Sequence, residues 1–513
     1  METLVRGKYV FTDAALGPAG VLTGAAVLVS GSEIAAVGPY EALRRDHPQA
    51  ALLGGPDCMV LPGLIDAHTH GRGLSFLQRG PGYDFLENAL LDWAFAVDLP
   101  AELNAPLTAL RHLRNGCTTL HHNEMGKVSD PDALAKAETA LRAYRQAGIR
   151  AAYSPGIRDE NFLAYDDQAF FATLPPHLQE FARPLVFFDK VKAREDYFAL
   201  FEQLYAKWNG GLTRIFFGPS WAHGASDEYL LRVKERADAL GGLPVHIHTL
   251  QTPIQRAYGL RRHGKSLLMR LNDLGLVDEH LTLGHAVYVD QADIELLAEK
   301  GASVTHHPSC NFAMRNGIAP VVPMVRAGVN VALGIDEKAF NDDEDAIGEL
   351  RMIFYIHRLS GFDLEDTPAL DPYQVIAMGT RNAARCLGLG DEVGALRPGT
   401  KADLITLDMA EMTADPWASP DLDPGLLFIH RARGRHVRDV LVDGQAVVVD
   451  GAVQTIDVEA LYREVRACVE KGLTPAQRAY AERMREIKPY VQRWYRSWAD
   501  FPREPFYAVN SRK

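Results

Sequence analysis

Hydrophobic positions follow three regimes along the chain. From residue 1 to about 60, and again from about 394 to 455, β-forming residues alternate with polar ones around Gly-containing turns, as in VLTGAAVLVSGSEIAAVG and VRDVLVDGQAVVVDGAV. Alternation with a period of two predicts half-buried strands. The two segments are far apart in sequence yet alike in pattern, so one β-sandwich built from both ends of the chain accounts for them. Between them, short apolar runs alternate with amphipathic stretches of about ten to twenty residues, the pattern of repeated β/α units. The apolar runs end at IDAHTH, CTTLHH, IRAAYSP, TRIFFGPS, PVHIH, LTLGH, ASVTHHP and VNVALGID. Eight such units predict a (β/α)8 barrel of the TIM type, whose chemistry sits at the C-terminal strand ends.

The interleaved stretches PDALAKAETALRAYRQAG, DEYLLRVKERADALG and DQADIELLAEKG read as helices closed by glycine. From about residue 456 the pattern becomes amphipathic helix. The expected organisation is therefore α/β: a composite β-sandwich (1–60 and 392–455), a barrel (61–391) and a C-terminal helical extension (456–513). That extension is expected to pack on the barrel or on a sister subunit, and with the size of the chain it suggests a homodimer or higher oligomer.

Composition narrows the function. With 47% hydrophobic and 23% charged residues over 513 positions, the chain is of the ordinary globular kind. A net charge of -12 argues against nucleic acid as partner, since phosphate binding calls for a basic face. No apolar run reaches the ~18 residues of a membrane span, and the N-terminus METLVRGKYVFTDAAL has no apolar core of a signal peptide. Five cysteines are scattered without a CxxC pair, which fits a reducing compartment and a cytoplasmic protein.

The chemistry lies in histidines at strand ends. Residues i and i+2 of a strand share a face, so His68 and His70 present two imidazoles side by side. An isolated HxH is equally well a polar strand end. His248, His285 and Asp336, however, each stand where another apolar run stops. Three or four N/O ligands with one position open to water make a hydrolytic metal site. The acid-rich DEKAFNDDEDAIGELR that follows reads as a solvated helix start with carboxylates at its N-terminus.

In combination, VLPGLIDAHTH, HIHTLQT, LTLGHAVYV, HHPSCNFAMRNGIAPV and GVNVALGID, followed by GALRPGTKADLITLD, resemble the metal-dependent amidohydrolase superfamily. The similarity is greatest to the branch of triazine hydrolases, adenosylhomocysteine deaminases, and guanine and cytosine deaminases. It implies His68, His70, His248 and Asp336 as metal ligands and His285 as the residue positioning water and substrate. One divalent ion per chain is implied, zinc or alternatively iron, because TRIFFGPSWAH lacks the lysine that bridges two metals in binuclear relatives. His246 is expected one layer deeper on the same strand face.

The pattern departs from the family at Gln251, where relatives carry a glutamate that shuttles protons. An amide donates a hydrogen bond but moves no proton. Glu124, Glu160 and Glu337 are candidate substitutes, each equally readable as a loop carboxylate. The expected function is hydrolysis of a non-peptide C–N bond in a small heterocyclic or amide-like substrate, with His285, Asp336 and Gln251 at the reacting centre. The alternatives are a urea or carbamate hydrolase, or a non-catalytic barrel. Gln78, His122, Trp221 and Asn311 are the expected substrate contacts, among neighbours Arg72, Phe76, His121 and Tyr288 at the same strand ends.

Overall fold

The structure is a computed structural model describing residues 2–125, 130–358, 369–414 and 417–498. The first segment gives β1 (Glu2–Phe11), β2 (Val21–Ser30), β3 (Glu33–Pro39), β4 (Ala51–Gly54) and β5 (Cys58–Pro62). The central segment gives β6 (Leu64–Thr69), β7 (Cys117–Asn123), β8 (Arg150–Ser154), β9 (Thr213–Ile215), β10 (Val245–Thr249), β11 (Leu281–His285), β12 (Ser303–His306) and β13 (Asn330–Leu333). The last gives β14 (Leu404–Asp408), β15 (Val437–Val442), β16 (Gln445–Val449) and β17 (Ala452–Val453).

The two end segments share one nine-stranded sheet in the order β17-β16-β15-β14-β5-β1-β2-β3, with β4 also on β1. Its seam is the antiparallel pair β5–β14, in which Val60 faces Thr406. Alternation along β5 explains its burial throughout: Val60 joins the sheet's own apolar cluster, while Met59 and Leu61 point into the main core.

The eight central strands coincide with the eight apolar runs. They form two parallel sheets, β6-β7-β8-β9 and β10-β11-β12-β13. Parallel bridges Phe217–Val245 and Thr69–Asp336 join the sheets at both edges, so the strands follow one another round a cycle. Strands covered on both faces need near-continuous apolar sequence, and β7, β8, β10 and β11 are buried along their whole length. Helices between them end as expected, with Gly148 and Gly301 in left-handed conformation after Ala133–Ala147 and Gln291–Lys300.

Two buried polar links matter for the site. Arg150 on β8 donates to both oxygens of Asp403 at 2.9 and 3.0 Å, fastening the ring to the nine-stranded sheet. Asp66 on β6 accepts the backbone N–H groups of His68 (3.1 Å) and Ile335 (2.9 Å) through Oδ1, and contacts His112 Nε2 at 3.0 Å through Oδ2. One carboxylate thereby sets the register between the strand end carrying His68 and the one carrying Asp336.

The acid-rich stretch after β13 is not a solvated helix start. Glu337, Lys338, Glu344, Asp345 and Glu349 are all buried. Lys338 Nζ pairs with Glu344 at 2.6 Å, and Asp345 caps the helix Ala346–Ile356. The carboxylates are needed inside, where they accept from lysine and from backbone N–H groups.

The C-terminal extension forms two helices against its own chain. Val458–Glu470 lays Leu461 and Val465 on Leu107 and Leu110. Pro475–Arg496 is anchored through Trp494, Tyr495 and Lys488. The remainder of the extension, 499–513, lies outside the described residues.

Candidate metal centre

His68 is the last but one residue of β6, and His70 follows directly on that strand. His248 is on β10, His285 closes β11, and Asp336 follows β13. The ring brings all five to one end. Ligand atoms of His68, His70 and His248 lie within 4.8 Å of one another, as do those of His68, His285, His307 and Asp336.

Each imidazole is held by its Nδ1, leaving Nε2 toward the group. His68 Nδ1 lies 2.7 Å from His246 Nε2, His70 Nδ1 lies 2.9 Å from the Asn123 carbonyl, and His248 Nδ1 lies 2.5 Å from the Ser220 carbonyl. His285 Nδ1 lies 3.1 Å from Asn311 Oδ1. The Nε2 atoms of His68, His248 and His285 are buried and without any hydrogen-bond partner. Such orphans cost free energy unless something binds them, and three imidazole nitrogens beside a carboxylate fit a zinc or iron ion. Fixing Nδ1 from behind is how a protein selects the ligating tautomer.

Electrostatics agree. Burial, reinforced by neighbouring imidazoles, holds His68, His248 and His285 well below the ordinary histidine pKa, so they are neutral and able to ligate. Burial opposes charge on His70 too, but its hydrogen bond to Asp336 and that carboxylate's charge leave it raised. Burial alone would raise Asp336; hydrogen bonds from His307 and His70 bring it well below the carboxylate range. Its two oxygens face different ways: Oδ1 lies 3.3 Å from His70 Nε2, whereas Oδ2 lies 3.5 Å from His285 Nε2 and 3.0 Å from Cys310 Sγ.

The backbone is bent at the same level. Leu250, His285, Ala286 and Asp336 have φ of 55°, 74°, 48° and 68°. A left-handed conformation in a residue other than glycine costs of order 1–3 kcal/mol, and such strain gathers at functional sites.

A small compartment of about 20 Å³, room for one water-sized group, adjoins the cluster, with Gln251, Trp221, Glu337 and Arg72 in its wall. A larger cavity of about 550 Å³ shares Arg72, Trp93, Met125 and Trp221 with it and extends to the C-terminal helix. Arg158 also faces this cavity. Its guanidinium stacks on Phe162 (4.3 Å) and Trp221 (4.8 Å), and burial lowers its pKa to about 10. It has no carboxylate in ion-pair range among the described residues, whereas Arg72 is paired with Glu337. The indole N–H of Trp221 and Oε2 of Glu337 are buried without partners.

Of the expected substrate contacts, Trp221 lines both cavities. Gln78, His122 and Asn311 line neither. Gln78 is exposed and completes a capping box with Ser75. His122 accepts from or donates to Tyr144 OH at 2.9 Å behind the wall. Asn311 orients His285. His121 is likewise turned inward, onto Ser154 and the Ala67 carbonyl, and Phe76 stacks under Trp93. Among the candidate carboxylates, Glu337 lines the small compartment and Glu124 and Glu160 line neither cavity. His307, Cys310, Trp93 and Arg158 were not singled out from the sequence. His307 had a visible signal, the doubled histidine of THHPS at the end of β12; Cys310 and Trp93 lie in the short helices Pro308–Ala313 and Trp93–Phe95 and Arg158 in a loop, where no periodicity marks a single residue.

The profile of the amidohydrolase family matches residues 59–447, and that of the bacterial imidazolonepropionase-like composite domain matches residues 25–50. The chain is 31% identical over 451 residues to the 5-methylthioadenosine/S-adenosylhomocysteine deaminase of Syntrophobacter fumaroxidans, covering 86% of this chain and 92% of that one. It is 28% identical to the 5'-deoxyadenosine deaminase of Methanosarcina mazei, with coverages of 92% and 98%. Among solved structures, an adenosine deaminase from Xanthomonas campestris with bound zinc is 28% identical, with TM-score 0.73 and coverages of 91% and 98%. The atrazine chlorohydrolase of Arthrobacter aurescens TC1, complexed with zinc, has TM-score 0.74 at 22% identity, with coverages of 91% and 100%, a likeness of fold.

Proposed function

We propose that this chain, which belongs to the amidohydrolase family, is a mononuclear metal-dependent hydrolase releasing ammonia or an amine from a small heterocycle. The observation that carries the reading is the pair of clusters sharing His68, one with His70 and His248 and the other with His285, His307 and Asp336, in which the Nε2 atoms of His68, His248 and His285 have no partner. His68, His70, His248 and Asp336 would hold the ion, zinc in the first place and iron as the alternative. When bound, it supplies Lewis acidity and makes water a nucleophile at neutral pH.

The chain's own groups divide the remaining work. Oδ2 of Asp336, on the side away from His68 and His70, receives the proton of the attacking water. His285 Nε2 orients that water, and Asn311 keeps the ring in place through Nδ1. Gln251 donates an amide hydrogen bond to the group being attacked, as does the free indole N–H of Trp221. Glu337 offers an unshared oxygen to a ring or exocyclic N–H.

The substrate we propose is an aminopurine-like heterocycle bearing a substituent, in line with the adenosine-type substrates named for the relatives. The ring would sit by Gln251 and Trp221, and the substituent would enter the larger cavity, where Arg158 meets an acceptor or anionic group. The eight-strand cycle is read as a (β/α)8 barrel over 61–391, and the nine-stranded sheet as the composite small domain of 1–60 and 392–455. Among the described residues no helix is long and apolar enough to cross a membrane; a cytoplasmic homo-oligomer acting on a small molecule is the proposed setting.

The test is metal analysis of protein purified without added metal, followed by ammonia or amine release from aminopurine nucleosides, aminotriazines, pterins, ureas and carbamates. About one zinc or iron per chain with turnover of a ring substrate supports the reading. Turnover of ureas or carbamates alone would move it to amide-type hydrolysis, which Gln251 serves without proton transfer. A metal-free protein that no divalent ion activates would leave a non-catalytic barrel.

A further inference from the structure

The larger cavity has one wall beyond the reach of the family profile. That profile ends at residue 447, yet Ala476, Gln477, Tyr480 and Met484 face the cavity. Positions 476, 480 and 484 are four apart, so they lie on one face of the helix Pro475–Arg496. The opposite wall is Arg72, Trp93, Met125 and Trp221, which also bounds the compartment at the metal cluster. A ligand with its reacting atom beside Asp336 and anything longer than a bare ring therefore extends toward this helix.

The helix is fastened in place by groups that lead back to the site. Trp494 Nε1 donates to the Tyr165 carbonyl at 3.0 Å, and the Tyr165 N–H donates to Tyr495 OH at 2.9 Å. Lys488 pairs with Asp92 at 2.6 Å, at the end of the helix Leu86–Asp92 in the segment between β6 and β7. Tyr165 OH then donates to Glu87 at 2.9 Å, and Thr252 OH donates to the same oxygen at 2.5 Å. Thr252 is the neighbour of Gln251. A helix outside the family profile is thus bonded, through one buried carboxylate, to the loop presenting Gln251.

We infer that the C-terminal helix is a specificity element of this enzyme, and that Gln477, Tyr480 and Met484 select the substituent carried by the heterocycle. The inference rests on the site reading above. The chemistry of the wall defines the substituent: of nucleoside length, apolar against Met484, and accepting a hydrogen bond from Gln477. The Gln477 amide oxygen is committed to Thr474 at the helix cap, which leaves its N–H groups for a ligand. Tyr480 keeps 42% of its surface exposed, so it is not needed for the core and its replacement leaves the fold.

The experiment uses the full chain loaded with zinc and compares adenosine with adenine. The readout is the ratio of the two kcat/KM values, in wild type, Tyr480→Ala, the double variant Gln477→Leu/Tyr480→Ala, and Tyr480→Trp. The double variant should lower the adenosine-over-adenine ratio by ~10-fold or more, mainly through KM, because it removes contacts made to the substituent alike in ground and transition states. Tyr480→Trp, which narrows the cavity, should lower adenosine turnover more than adenine turnover. Ratios within about twofold of wild type in all three variants overturn the inference. If wild type turns over neither compound, the aminopurine substrate reading has failed, and binding decides the inference separately. Quenching of Trp93 and Trp221 fluorescence by adenosine that is weakened in Tyr480→Ala supports it; quenching that is absent or unchanged overturns it.

Discussion

His246 Nε2 stands 2.7 Å from His68 Nδ1, with both rings buried and stacked at 4.6 Å between centroids. Burial, with other imidazoles close by, holds each well below the ordinary histidine pKa, so one shared proton lies between two neutral rings. A lone pair on His68 Nε2 requires that proton on His68 Nδ1, with His246 as acceptor. His246 is therefore a positioning residue for the ligand. Replacing it by leucine should weaken metal affinity by ~10–100-fold, while asparagine, which keeps an acceptor, restores part of it. Competition with a chelator measures this. Equal affinity in all three proteins would show that the pair sets no tautomer.

The two oxygens of Asp336 face different partners, and one of them is proposed to take the water's proton. Asp336→Asn keeps the shape and a ligating oxygen but no basic one. Activity should fall below ~1% of wild type, with the chain folded and metal affinity reduced far less than in a His248→Ala variant. Steady-state rates together with metal content per chain check it. Near-normal turnover would remove Asp336 from the proton's path.

Glu87 carries a pH signature that activity at the metal does not. Burial pushes its carboxyl up to about 7, against hydrogen bonds from Thr252 and Tyr165 that favour the charged form. The folded-state pKa exceeds the unfolded value, so between them the folded chain binds more protons. The contribution to stability is full below about pH 4.5 and is lost as pH rises through about 7, a change of up to about 3 kcal/mol. Glu87→Gln retains an oxygen for both hydroxyls. It should match wild type near pH 5 and exceed it in denaturant midpoint near pH 8. A constant difference across that range would mean that Glu87 is ionised throughout.

Much of this centre was legible because strands have a simple period. HxH on one strand and single histidines or an aspartate at the ends of others suffice to name His68, His70, His248, His285 and Asp336, and the eight apolar runs all return as strands. What lay beyond the pattern came from side chains whose partners are distant in sequence. Gln78 looked like a pocket residue from its place after the HxH, but the local capping box with Ser75 claims it. The acidic stretch after β13 looked solvated because charge alone does not reveal that Lys338 lies buried against Glu344. Arg158 and Tyr480 meet across a cavity whose walls are more than three hundred residues apart, a distance no local periodicity spans.

Gln251 lies in the wall of the metal compartment with its backbone N–H donated to Gln255 at 2.8 Å, so the loop holds the side chain in place without using its amide. Gln251→Glu should therefore leave metal content and fold unchanged. The new carboxyl would be almost wholly removed from water, and burial favours its protonated form. A neutral carboxyl held against the substrate is a general acid, which the amide is not. Where protonation of a ring nitrogen limits the reaction, deamination should rise by ~10²–10⁴-fold, and the rate should acquire a falling alkaline limb as the carboxyl ionises. Turnover of urea- or carbamate-type substrates should instead fall, because their carbonyl loses a fixed donor as that ionisation proceeds. The pH–rate profiles of the two proteins on both substrate classes read these outcomes directly. A variant that loses its metal would show that the strand-end placement of Gln251 is wrong, and one with an unchanged profile would place the proton donor elsewhere, with Glu337 in the same wall the next group to replace.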